Sequence, residues 1–561
     1  MKVSEALADA FAGEDVSAIF ALMGDGNMDW LSAFEKHPTV RVYDVRHEGA
    51  GLAMADGWSR VTGKPGVMTV THGPGVAQLP TSLIVASRNR SPVVIFAGDR
   101  PDGDSHTQTL DQRRLVEASE CGFVKVASPE VAHDAVRKAF YLARTQSRPI
   151  VLDAPVDVQE MEFDGPETYE PSTSVLPRMQ RISPDAAGIA EAANIIMSSK
   201  KPVIIAGRGA IAAGAQDAIV SVAERIGALI STTLLAKGWL AEQPFHAGIC
   251  GLFASGAAVE LLAGADCVIG VGASLNKFTI EDGYLFSDAR FIQIDCQPQV
   301  LMGTGKAADC YLQGDARVTL EALNELLAKA NFKATGLRTP PVQQMLRRPI
   351  DTKHIELDPG CVDPREAARL LDARLADDVG LVIGSGASSA FPTMLMNRPR
   401  WPIVAGKPFA CIGQAMGIGI GATIAAKRPM LVTDGDASFM MHIQELDTIR
   451  RYNLPLMFVI LNDEALGAEY HKMGAKGMNR NLALISTPDF GAVARSFGCN
   501  GYLARSIEEL SLAIDDFNTN RRPTLVDLRI SRTVRSLPYR RLHFGEADEV
   551  PEAAASGAAA S

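Results

Sequence analysis

The stretch LVTDGDASFMMHIQELDTIRRYNLPLMFVILNDEALG, residues 431–467, decides the fold class of this chain. It contains two apolar runs typical of buried strands, residues 431–433 and residues 456–461. A segment with a helical pattern joins the two runs. Two buried strands connected by a helical crossover form a β-α-β unit, so the stretch predicts a parallel sheet.

Two oxygen-bearing side chains stand at the carboxyl ends of these predicted strands. Asp436 follows the first strand in an acidic glycine turn, and Asn462 ends the second. Parallel sheets bind ligands beyond the carboxyl ends of their strands, and Gly435 lets the backbone approach a ligand closely. A carboxylate, an amide oxygen and a backbone carbonyl suit Mg²⁺ or Ca²⁺ holding a diphosphate. Each residue alone is equally typical of a turn or a strand end; their combination predicts a metal–diphosphate site.

The same stretch resembles the thiamine-diphosphate motif of the superfamily that includes acetolactate synthase, pyruvate decarboxylase and benzoylformate decarboxylase. Acetolactate synthase large-subunit-like proteins are the most similar overall. The family usually reads Gly-Asp-Gly where this chain has Gly435-Asp436-Ala437. The resemblance implies that the metal is bound by the side chains of Asp436 and Asn462 and by the backbone carbonyl of Glu464. It also assigns further residues to the cofactor: Gly435, Ala437, Ser438, Leu466 and Gly467.

Length and composition limit the class of protein. The chain has 561 residues, enough for three or four domains, and its 47% hydrophobic and 21% charged residues are typical of a soluble globular protein. A net charge of −10 argues against nucleic acid or an acidic membrane surface as a partner. No apolar run reaches transmembrane length, and the start lacks a signal-peptide core. The eight cysteines form no C-x-x-C pair, so we expect a reduced, cytoplasmic protein.

Strands and helices alternate along most of the chain, which predicts an α/β fold with three doubly wound parallel-sheet domains. Linkers rich in proline and polar residues separate the units. The predicted domains are residues 1–165, 182–335 and 360–535, followed by a low-complexity tail, residues 536–561. The resemblance covers nearly the whole chain and implies that these are a pyrimidine-binding, a central and a diphosphate-binding domain, in that order.

Glu48 is the candidate catalytic residue of the first predicted domain. It follows an apolar strand and begins the helix HEGAGLAMADG, residues 47–57. A glutamate in the first turn of a helix is favoured by the helix dipole alone. The family has a glutamate in the matching position, however. The resemblance implies that Glu48 hydrogen-bonds a pyrimidine nitrogen of the cofactor, which promotes formation of the nucleophilic ylide.

Two further segments are assigned to the cofactor by the resemblance. Met416 precedes a helix rich in glycine and alanine, where the family's apolar residue holds the cofactor in a bent conformation; ordinary core packing would also explain a methionine here. Backbone groups of Gln414 and Met416 would contact the pyrimidine ring. The turn at residues 384–389 offers backbone N–H groups to phosphate oxygens, which places Ser388 at the diphosphate. The family often has His or Gln in this turn.

His72 and Gln108 are the candidate catalytic residues on the substrate side. His72 lies in THGPG, residues 71–75, where acetolactate synthases commonly have Ser-Gly-Pro-Gly. Aryl 2-oxo-acid decarboxylases such as benzoylformate decarboxylase carry a histidine close to this position, and histidine exchanges protons near neutral pH. A structural histidine is an equally good interpretation. Gln108 matches a glutamine of acetolactate synthases, but Thr107 replaces the family's phenylalanine, which weakens any claim to the same acceptor substrate.

Two segments depart from the acetolactate synthase pattern. The loop at residues 272–278 lacks the arginine and the acidic residue that are usual where the central domain binds FAD, so we expect no tightly bound FAD, although FAD stays possible. Acetolactate synthases usually have Met and Val at the positions of Ala468 and Glu469. Together with Tyr470 and His471, Glu469 predicts a more polar pocket, unless this side of the helix faces solvent.

The resemblance implies an enzyme that uses thiamine diphosphate and Mg²⁺ to cleave or form a carbon–carbon bond of a 2-oxo acid or related ketone. The ylide adds to the carbonyl and an enamine follows. Acetolactate synthase-like carboligation is the first function, and non-oxidative decarboxylation of the benzoylformate decarboxylase type is the alternative. A non-catalytic regulatory paralogue is disfavoured because Glu48, Asp436 and Asn462 occur together. The resemblance also implies a homodimer or homotetramer in which Glu48 of one chain faces the metal site of the next.

Overall fold

The fold is three successive sheets of six parallel strands, seen in a computed structural model that describes residues 1–101, 106–178, 180–297, 302, 305–398 and 403–546. Every pair of neighbouring strands within the three sheets is parallel. Helices connect the strands, as parallel pairing requires. The predicted α/β class with three parallel-sheet units is therefore confirmed. Most of the predicted tail, residues 547–561, lies outside the described residues.

The first sheet has the strand order β2-β1-β3-β4-β6-β5. Its strands are β1 (Ala18–Ala21), β2 (Arg41–Asp44), β3 (Gly66–Val70), β4 (Val93–Asp99), β5 (Gly122–Lys125) and β6 (Pro149–Pro155). Its helices are α1 (Val3–Gly13), α2 (Met28–Ala33), α3 (Glu48–Thr62), α4 (Pro74–Ala77), α5 (Pro80–Arg88), α6 (Gln112–Ala118), α7 (Ala132–Gln146) and α8 (Val156–Glu160). Short 3₁₀ turns lie at Phe34–Lys36, Pro129–Val131 and Ser172–Ser174.

The second sheet has the order β12-β11-β10-β7-β8-β9. Its strands are β7 (Pro202–Ala206), β8 (Leu229–Thr232), β9 (His246–Ile249), β10 (Cys267–Val271), β11 (Arg290–Asp295) and β12 (Cys310–Gln313). Its helices are α9 (Ala186–Met197), α10 (Arg208–Ala212), α11 (Gln216–Ile226), α12 (Gly256–Ala263), α13 (Lys277–Ile280), α14 (Ala316–Lys329) and α15 (Pro340–Leu346). Short 3₁₀ turns lie at Leu234–Ala236, Gly251–Phe253 and Glu281–Phe286.

The third sheet has the order β14-β13-β15-β16-β18-β17. Its strands are β13 (Gly380–Ile383), β14 (Ile403–Val404), β15 (Met430–Gly435), β16 (Leu456–Asn462), β17 (Asn500–Ala504) and β18 (Thr524–Arg529). Its helices are α16 (Pro364–Arg374), α17 (Ala390–Leu395), α18 (Ala415–Ala426), α19 (Asp436–Met440), α20 (Leu446–Arg451), α21 (Gly467–Ala475), α22 (Phe490–Ser496), α23 (Ile507–Asn520) and α24 (Leu537–Tyr539). 3₁₀ turns lie at Ile443–Glu445 and Arg480–Ala483, and a π-helical turn follows α24 at Arg540–Phe544.

The predicted β-α-β unit of residues 431–467 is present at the centre of the third sheet. β15 and β16 pair in parallel, with Met430 opposite Leu456 and Gly435 opposite Leu461. Their connection is not one helix, however, but α19, a 3₁₀ turn and α20 in succession. The break at residues 441–445 lets this connection contact the first domain, as described below.

Several edge elements are missing from the sequence prediction. β5, β9, β12, β14 and β17 all lie at or near a sheet edge, where a strand is only partly buried and its apolar pattern is weak. Residues 156–158, whose sequence Val-Asp-Val predicts the end of a strand, begin helix α8 instead. The segment after residue 339, between the predicted central and diphosphate-binding domains, contains helix α15.

The first and third domains dock through helices α3 and α18, which lie backbone against backbone. A Cβ atom on Gly421 would lie 1.9 Å from the carbonyl oxygen of Met54, and one on Gly57 would lie 2.2 Å from that of Ile418. On another face of α18, a Cβ on Gly419 would lie 2.4 Å from Val432 of β15. The glycines of α18 therefore allow the helix to pack tightly both on its own sheet and on α3.

Two further expectations concern the chain as a whole. None of the helices in the described ranges is long and apolar enough to cross a membrane. All eight cysteines are free, and five of them are buried. Burial raises the pKa of thiols such as Cys267 to about 12, so these cysteines are unreactive core residues.

Candidate active site

The predicted metal–diphosphate residues lie together at the carboxyl edge of the third sheet. Asp436 is the first residue of α19, directly after β15, and Asn462 is the last residue of the neighbouring strand β16. Asp463 follows Asn462, and the charge of Asp436 raises the pKa of the Asp463 carboxyl. The sheet therefore brings together residues that are 26 to 27 positions apart in the sequence.

Asp436 is a buried carboxylate, and the neighbouring carboxylate Asp463 is half-buried. Asp436 Oδ1 accepts a hydrogen bond from the N–H of Ala437 at 2.8 Å, whereas its buried Oδ2 has no partner in the described part of the chain. Asp463 Oδ1 accepts from the N–H of Ala465 at 3.2 Å. Burial raises the pKa of both carboxyl groups. A buried carboxylate with an unsatisfied oxygen, next to a second carboxylate, is stabilised by a cation, so this edge fits a divalent metal.

Asn462 and Glu464, the other two predicted metal ligands, lie at the same sheet edge, but the side chain of Glu464 is engaged elsewhere. The side-chain oxygen of Asn462 accepts from the N–H of Glu464 at 3.1 Å, which leaves its second lone pair available. The side chain of Glu464 instead pairs with Arg529 at 2.9 Å. Glu464 has a φ of +51°, an uncommon conformation for a side-chain-bearing residue. The backbone carbonyl of Glu464 accepts from the N–H of Ile485 at 2.9 Å, which leaves one lone pair for the metal that the resemblance implies.

Asp463 is a site residue that the sequence analysis overlooked. Its place one residue past a central parallel strand is nevertheless a signal for a ligand-facing side chain. Gly467 is explained by it: a Cβ there would lie 2.6 Å from Asp463 Oδ2. No group of three or more His, Cys, Asp or Glu side chains forms a metal site within the described ranges. The candidate set depends on amide and carbonyl oxygens as well.

The predicted phosphate loop lies beside this edge. It follows β13, and Gly386 adopts a φ of +102°, which only glycine tolerates readily. A Cβ on Gly435 would meet only Ser388 Oγ, at 3.5 Å, so the space beside Gly435 is open. Ser438 Oγ accepts from the N–H of Gly413 at 2.7 Å and donates to Asp434. Backbone and hydroxyl groups therefore surround a space that fits a diphosphate.

These residues border a large cavity between the third and the central domain, with a volume of about 1450 Å³. The predicted cofactor residues that line it are Ser388, Gly435, Asp436, Ala437, Ser438, Leu466 and Gly467. On the central-domain side, the lining includes Arg208 and the loop around Asn276. The volume exceeds the 300–1000 Å³ of ordinary ligand pockets, so it has room for a cofactor and a substrate.

Lys407 is a second residue of this cavity that the sequence analysis missed. Its Nζ donates to Ser389 Oγ at 2.7 Å and lies 5.7 Å from the centre of the Phe253 ring. Burial lowers the pKa of Lys407 to about 8, against the opposing effect of Asp434. The segment GKPF carries no motif that would mark it, because only the turn after β14 brings this lysine to the sheet edge.

Gln414 and Met416 lie away from the cavity, at the docking of α18 on the first domain. Met416 is buried in the core that α18 shares with α3. The side-chain oxygen of Gln414 lies 3.1 Å from the Ser82 hydroxyl, which also donates to the carbonyl of Gly49 at 2.9 Å. Within one chain, Met416 therefore packs as an ordinary core residue, which is the alternative that the sequence left open. Its contact with the cofactor stays a prediction.

The catalytic candidates of the first domain form a separate group at the carboxyl edge of the first sheet. His72 follows β3 and is buried; its Nε2 lies 3.0 Å from Gln108 Oε1, while its Nδ1 has no partner among the residues described. Glu48 begins α3 after β2 and is half-buried. The structure thus joins His72 to Gln108.

The two groups do not share a cavity within one chain. Glu48, His72 and Gln108 are absent from the lining of the cavity that holds Asp436, as far as the described residues go. The first domain contributes only side chains of and near α5, such as Thr81 and Arg88. Within one chain, the predicted site is therefore divided: the metal–diphosphate residues lie at the cavity, and the catalytic candidates of the first domain lie elsewhere.

Helix α21 is partly at the cavity, as predicted, and partly in the core. Ala468 and Glu469 line the cavity, as does Lys472. His471 is buried, with its ring centre 6.1 Å from that of Tyr539 in α24. Of the residues predicted to make the pocket polar, Glu469 lines the cavity, whereas His471 packs against the C-terminal segment.

Three parallel α/β domains with a large cavity at the carboxyl edge of the last sheet define a class of cofactor-dependent α/β enzymes. Comparison with family models narrows the class. Residues 1–117 match the thiamine pyrophosphate enzyme N-terminal TPP binding domain, residues 189–323 the central domain, and residues 383–528 the C-terminal TPP binding domain. The chain belongs to the thiamine pyrophosphate enzyme family, and it is a thiamine-diphosphate-dependent enzyme.

Curated relatives match over nearly the whole chain. A probable acetolactate synthase large subunit of Methanocaldococcus jannaschii is 28% identical and covers 94% of this chain and 92% of its own length. A probable 2-ketoarginine decarboxylase of Pseudomonas aeruginosa is 28% identical, with 94% of each chain covered. A sulfoacetaldehyde acetyltransferase of Castellaniella defragrans is 28% identical and covers 96% of this chain and 95% of its own. The similarity to acetolactate synthase-like proteins is confirmed, and these names span three reactions.

Proposed function

We propose that this enzyme joins an acyl group from a 2-oxo acid to a second carbonyl compound, as acetolactate synthases do. The observation that carries the proposal is the edge formed by the buried Asp436 and the half-buried Asp463, which opens into a cavity with room for more than the cofactor. The similarity to acetolactate synthase large subunits supports the choice of reaction.

The residues of the third domain have defined roles in this proposal. Asp436 and Asn462 hold Mg²⁺ through side-chain oxygens, and Glu464 contributes its backbone carbonyl. The turn with Ser388 and the open space at Gly435 accommodate the diphosphate. When bound, thiamine diphosphate supplies a carbanion that attacks a carbonyl and a ring that accepts electrons.

The residues of the first domain complete the site from a second chain. The carboxyl of Glu48 donates a hydrogen bond to a pyrimidine nitrogen of the cofactor, and His72 exchanges protons with the substrate while Gln108 fixes its ring through Nε2. Since Glu48 and Asp436 do not meet within one chain, we infer a homodimer, or a tetramer of two dimers, with the sites between subunits. The domain limits of residues 1–165, 182–335 and 360–535 belong to the same proposal.

Non-oxidative decarboxylation is the second candidate. The buried contact of His72 with Gln108 favours it, because a histidine beside the substrate can deliver the proton that ends a decarboxylation. The similarity to a probable 2-ketoarginine decarboxylase agrees with this alternative. Acetyl transfer, the reaction named for another relative, would use the same cavity with a different acceptor.

Product analysis tests the choice. The purified chain is incubated with thiamine diphosphate, Mg²⁺ and a panel of 2-oxo acids, alone and in pairs. Carbon dioxide release is measured together with carboligation products and aldehydes. We expect carboligation products; aldehyde alone would favour the decarboxylase, and neither carbon dioxide nor product from any donor would contradict both. The absorption spectrum tests the FAD prediction, because a flavin band in the purified protein would overturn it.

A further inference from the structure

Glu445 is a buried carboxylate of the third domain that the proposed mechanism does not use. It is 0% exposed and ends the 3₁₀ turn between α19 and α20. Its Oε2 accepts from the Thr448 hydroxyl at 2.6 Å. It is outside the lining of the Asp436 cavity among the residues described, so neither the metal nor the diphosphate explains it.

The other oxygen of Glu445 contacts the first domain immediately before Glu48. Oε1 accepts from the backbone N–H of Arg46 at 3.0 Å, and, against the raising effect of burial, the backbone of His47 also lowers the pKa of this carboxyl. His47 is the N-cap of α3, and its Nδ1 accepts from the N–H of Gly49 at 3.0 Å. Hydrogen bonds therefore hold the backbone on both sides of Glu48: Glu445 accepts from the N–H of Arg46, and the His47 ring accepts from the N–H of Gly49.

Charged pairs around Glu445 hold the same two segments together. Arg46 pairs with Asp447 at 2.6 Å, and Arg451 pairs with Asp44 at 3.2 Å. The N–H of Asp44 donates to the Tyr452 hydroxyl at 2.7 Å. These pairs are exposed and contribute little individually, whereas a buried carboxylate accepting backbone N–H groups is a stronger, fixed contact.

We infer that Glu445 is a positioning residue for Glu48. The carboxylate from the third domain fixes the backbone at Arg46 and His47, and thereby the point at which Glu48 leaves the sheet and enters α3. The inference rests on the proposed role of Glu48. It also means that the segment from Asp436 to Glu445 contacts two sites: its first residue faces the metal site of its own chain, and its last residue holds the glutamate that serves the partner.

The test compares Glu445→Ala and Glu445→Gln in the full-length enzyme with thiamine diphosphate and Mg²⁺. In Glu445→Ala, amide exchange of residues 44–50 in the cofactor-free protein should rise at least about tenfold, because the Arg46 N–H loses its acceptor. Turnover should fall about 10- to 100-fold, as expected for a misplaced catalytic group, with the KM for the 2-oxo acid changed less than about threefold. Glu445→Gln keeps an acceptor oxygen and should retain most of the activity.

Glu14→Ala is the matched control. Glu14 is a buried carboxylate of the first domain that accepts from Tyr169 at 2.6 Å and from Ser172 at 2.8 Å, far from Glu48 in the sequence. Its loss should lower thermal stability but leave the turnover of folded enzyme and the exchange of residues 44–50 unchanged. If Glu445→Ala does not fold, Thr448→Val serves instead: it frees one carboxylate oxygen and should give a smaller rise in the same exchange.

The outcomes separate this inference from the proposed function. If Glu48→Gln is inactive while Glu445→Ala has wild-type turnover, or unchanged exchange at residues 44–50, the positioning role is wrong. Equal losses in Glu445→Ala and Glu445→Gln without an exchange difference would also overturn it. If Glu48→Gln itself turns over normally, the proposed function fails first, whatever Glu445 does.

Discussion

Asp436 and Asp463 show how single residues reveal the chemistry of this site. Burying a carboxylate is costly unless a cation or hydrogen-bond donors compensate, and Asp436 Oδ2 lacks such a partner within the described residues. A folded protein can keep such an unpaired buried carboxylate where a bound ligand compensates its charge. The pair is therefore the residue-scale observation behind the proposed cation site.

Asp436→Asn removes the negative charge but keeps the shape of the side chain. We expect the affinities for Mg²⁺ and thiamine diphosphate to fall at least about tenfold, because a neutral amide binds a hard cation more weakly than a carboxylate. Titration calorimetry of the cofactor-free protein measures both. Asp489→Asn is the control, since Asp489 caps α22 through the N–H of Ala492 outside the cavity. Unchanged affinity in Asp436→Asn would exclude Asp436 as a ligand.

Glu48→Gln and Glu48→Ala test the catalytic assignment in the first domain. Turnover should be nearly abolished in both, because the proposed hydrogen bond to the pyrimidine needs a carboxyl group that can share a proton. The fold should survive, since Glu48 is only half-buried at the start of α3. Steady-state kinetics and circular dichroism measure the two properties. Near-normal turnover in either variant would refute the assignment.

At the scale of elements, helix α18 and the C-terminal segment carry the most specific information. α18 is almost entirely small and apolar, and its glycines approach both β15 and α3. The C-terminal segment covers one side of the cavity with Tyr539 and Leu542. It is fixed by Arg540, which is buried with Asp351. Helix α18 thus docks two domains, and the C-terminal segment covers one side of the cavity.

Gly421→Ala should destabilise the docking of α3 on α18. The new Cβ would lie 1.9 Å from the carbonyl oxygen of Met54, and backbone cannot yield without shifting a helix, so we expect a cost of about 1–3 kcal/mol. Thermal unfolding measures it. The matched control is Gly474→Ala in helix α21, where the new Cβ would come no closer than 4.0 Å to a described neighbour, Arg480, and the melting temperature should not fall. Equal melting temperatures for the two variants would contradict the close packing.

Acid should loosen the C-terminal segment through His471. Burial, with Arg535, Arg480 and His543 nearby, lowers the pKa of His471 to about 4 from an ordinary value near 6.5. The folded state therefore prefers the neutral ring, and its stability is complete above the unfolded pKa and is lost as the pH falls from about 6.5 towards 4.

Amide exchange of residues 537–544 at about pH 7.5 and about pH 5, corrected for the intrinsic rate, measures this effect. Exchange should rise on acidification in the wild-type chain. His471→Gln should remove most of that pH dependence, because an amide does not titrate. His354→Gln, a change at an exposed histidine, should leave it intact. A pH dependence that is equal in all three proteins would exclude His471 as its source.

At the scale of the whole molecule, the two halves of the candidate site are separate within one chain. α3 and α18 join the first and third domains of one chain, yet Glu48 remains outside the cavity that Asp436 lines. A second chain placed with the opposite orientation would bring its Glu48 to that cavity. Two-fold symmetry would then complete both sites at once.

Mixed dimers test this arrangement. Glu48→Gln and Asp436→Asn chains carry different affinity tags and are co-expressed, and dimers with both tags are isolated. Each such dimer holds one intact and one doubly altered site if the two residues come from different chains, so activity should reach about half of the wild-type value. Each variant alone should be inactive. A mixed dimer without activity would place both residues of a site on the same chain.

Much of this could be predicted from the sequence because it depends on local pattern. The apolar runs of residues 431–433 and 456–461 are buried on both sides of a central strand pair, and such strands have an unmistakable composition. Asp436 and Asn462 follow from the same pattern, since they stand where these strands end. The edge strands β9 and β14 could not be found in this way, because they are short and half-buried.

The sequence by itself determined the α/β class, the family and the half of the site held by the third sheet. Only the tertiary structure decided that Asp463 and Lys407 join this half, that Glu445 holds the loop of Glu48, and that Glu48 lies outside the cavity. The physical reason is distance along the chain. Strand burial and turn geometry depend on residues that are close in the sequence. Salt bridges, hydrogen bonds to a buried carboxylate and helix contacts depend on residues that are distant in the sequence and are brought together only by packing.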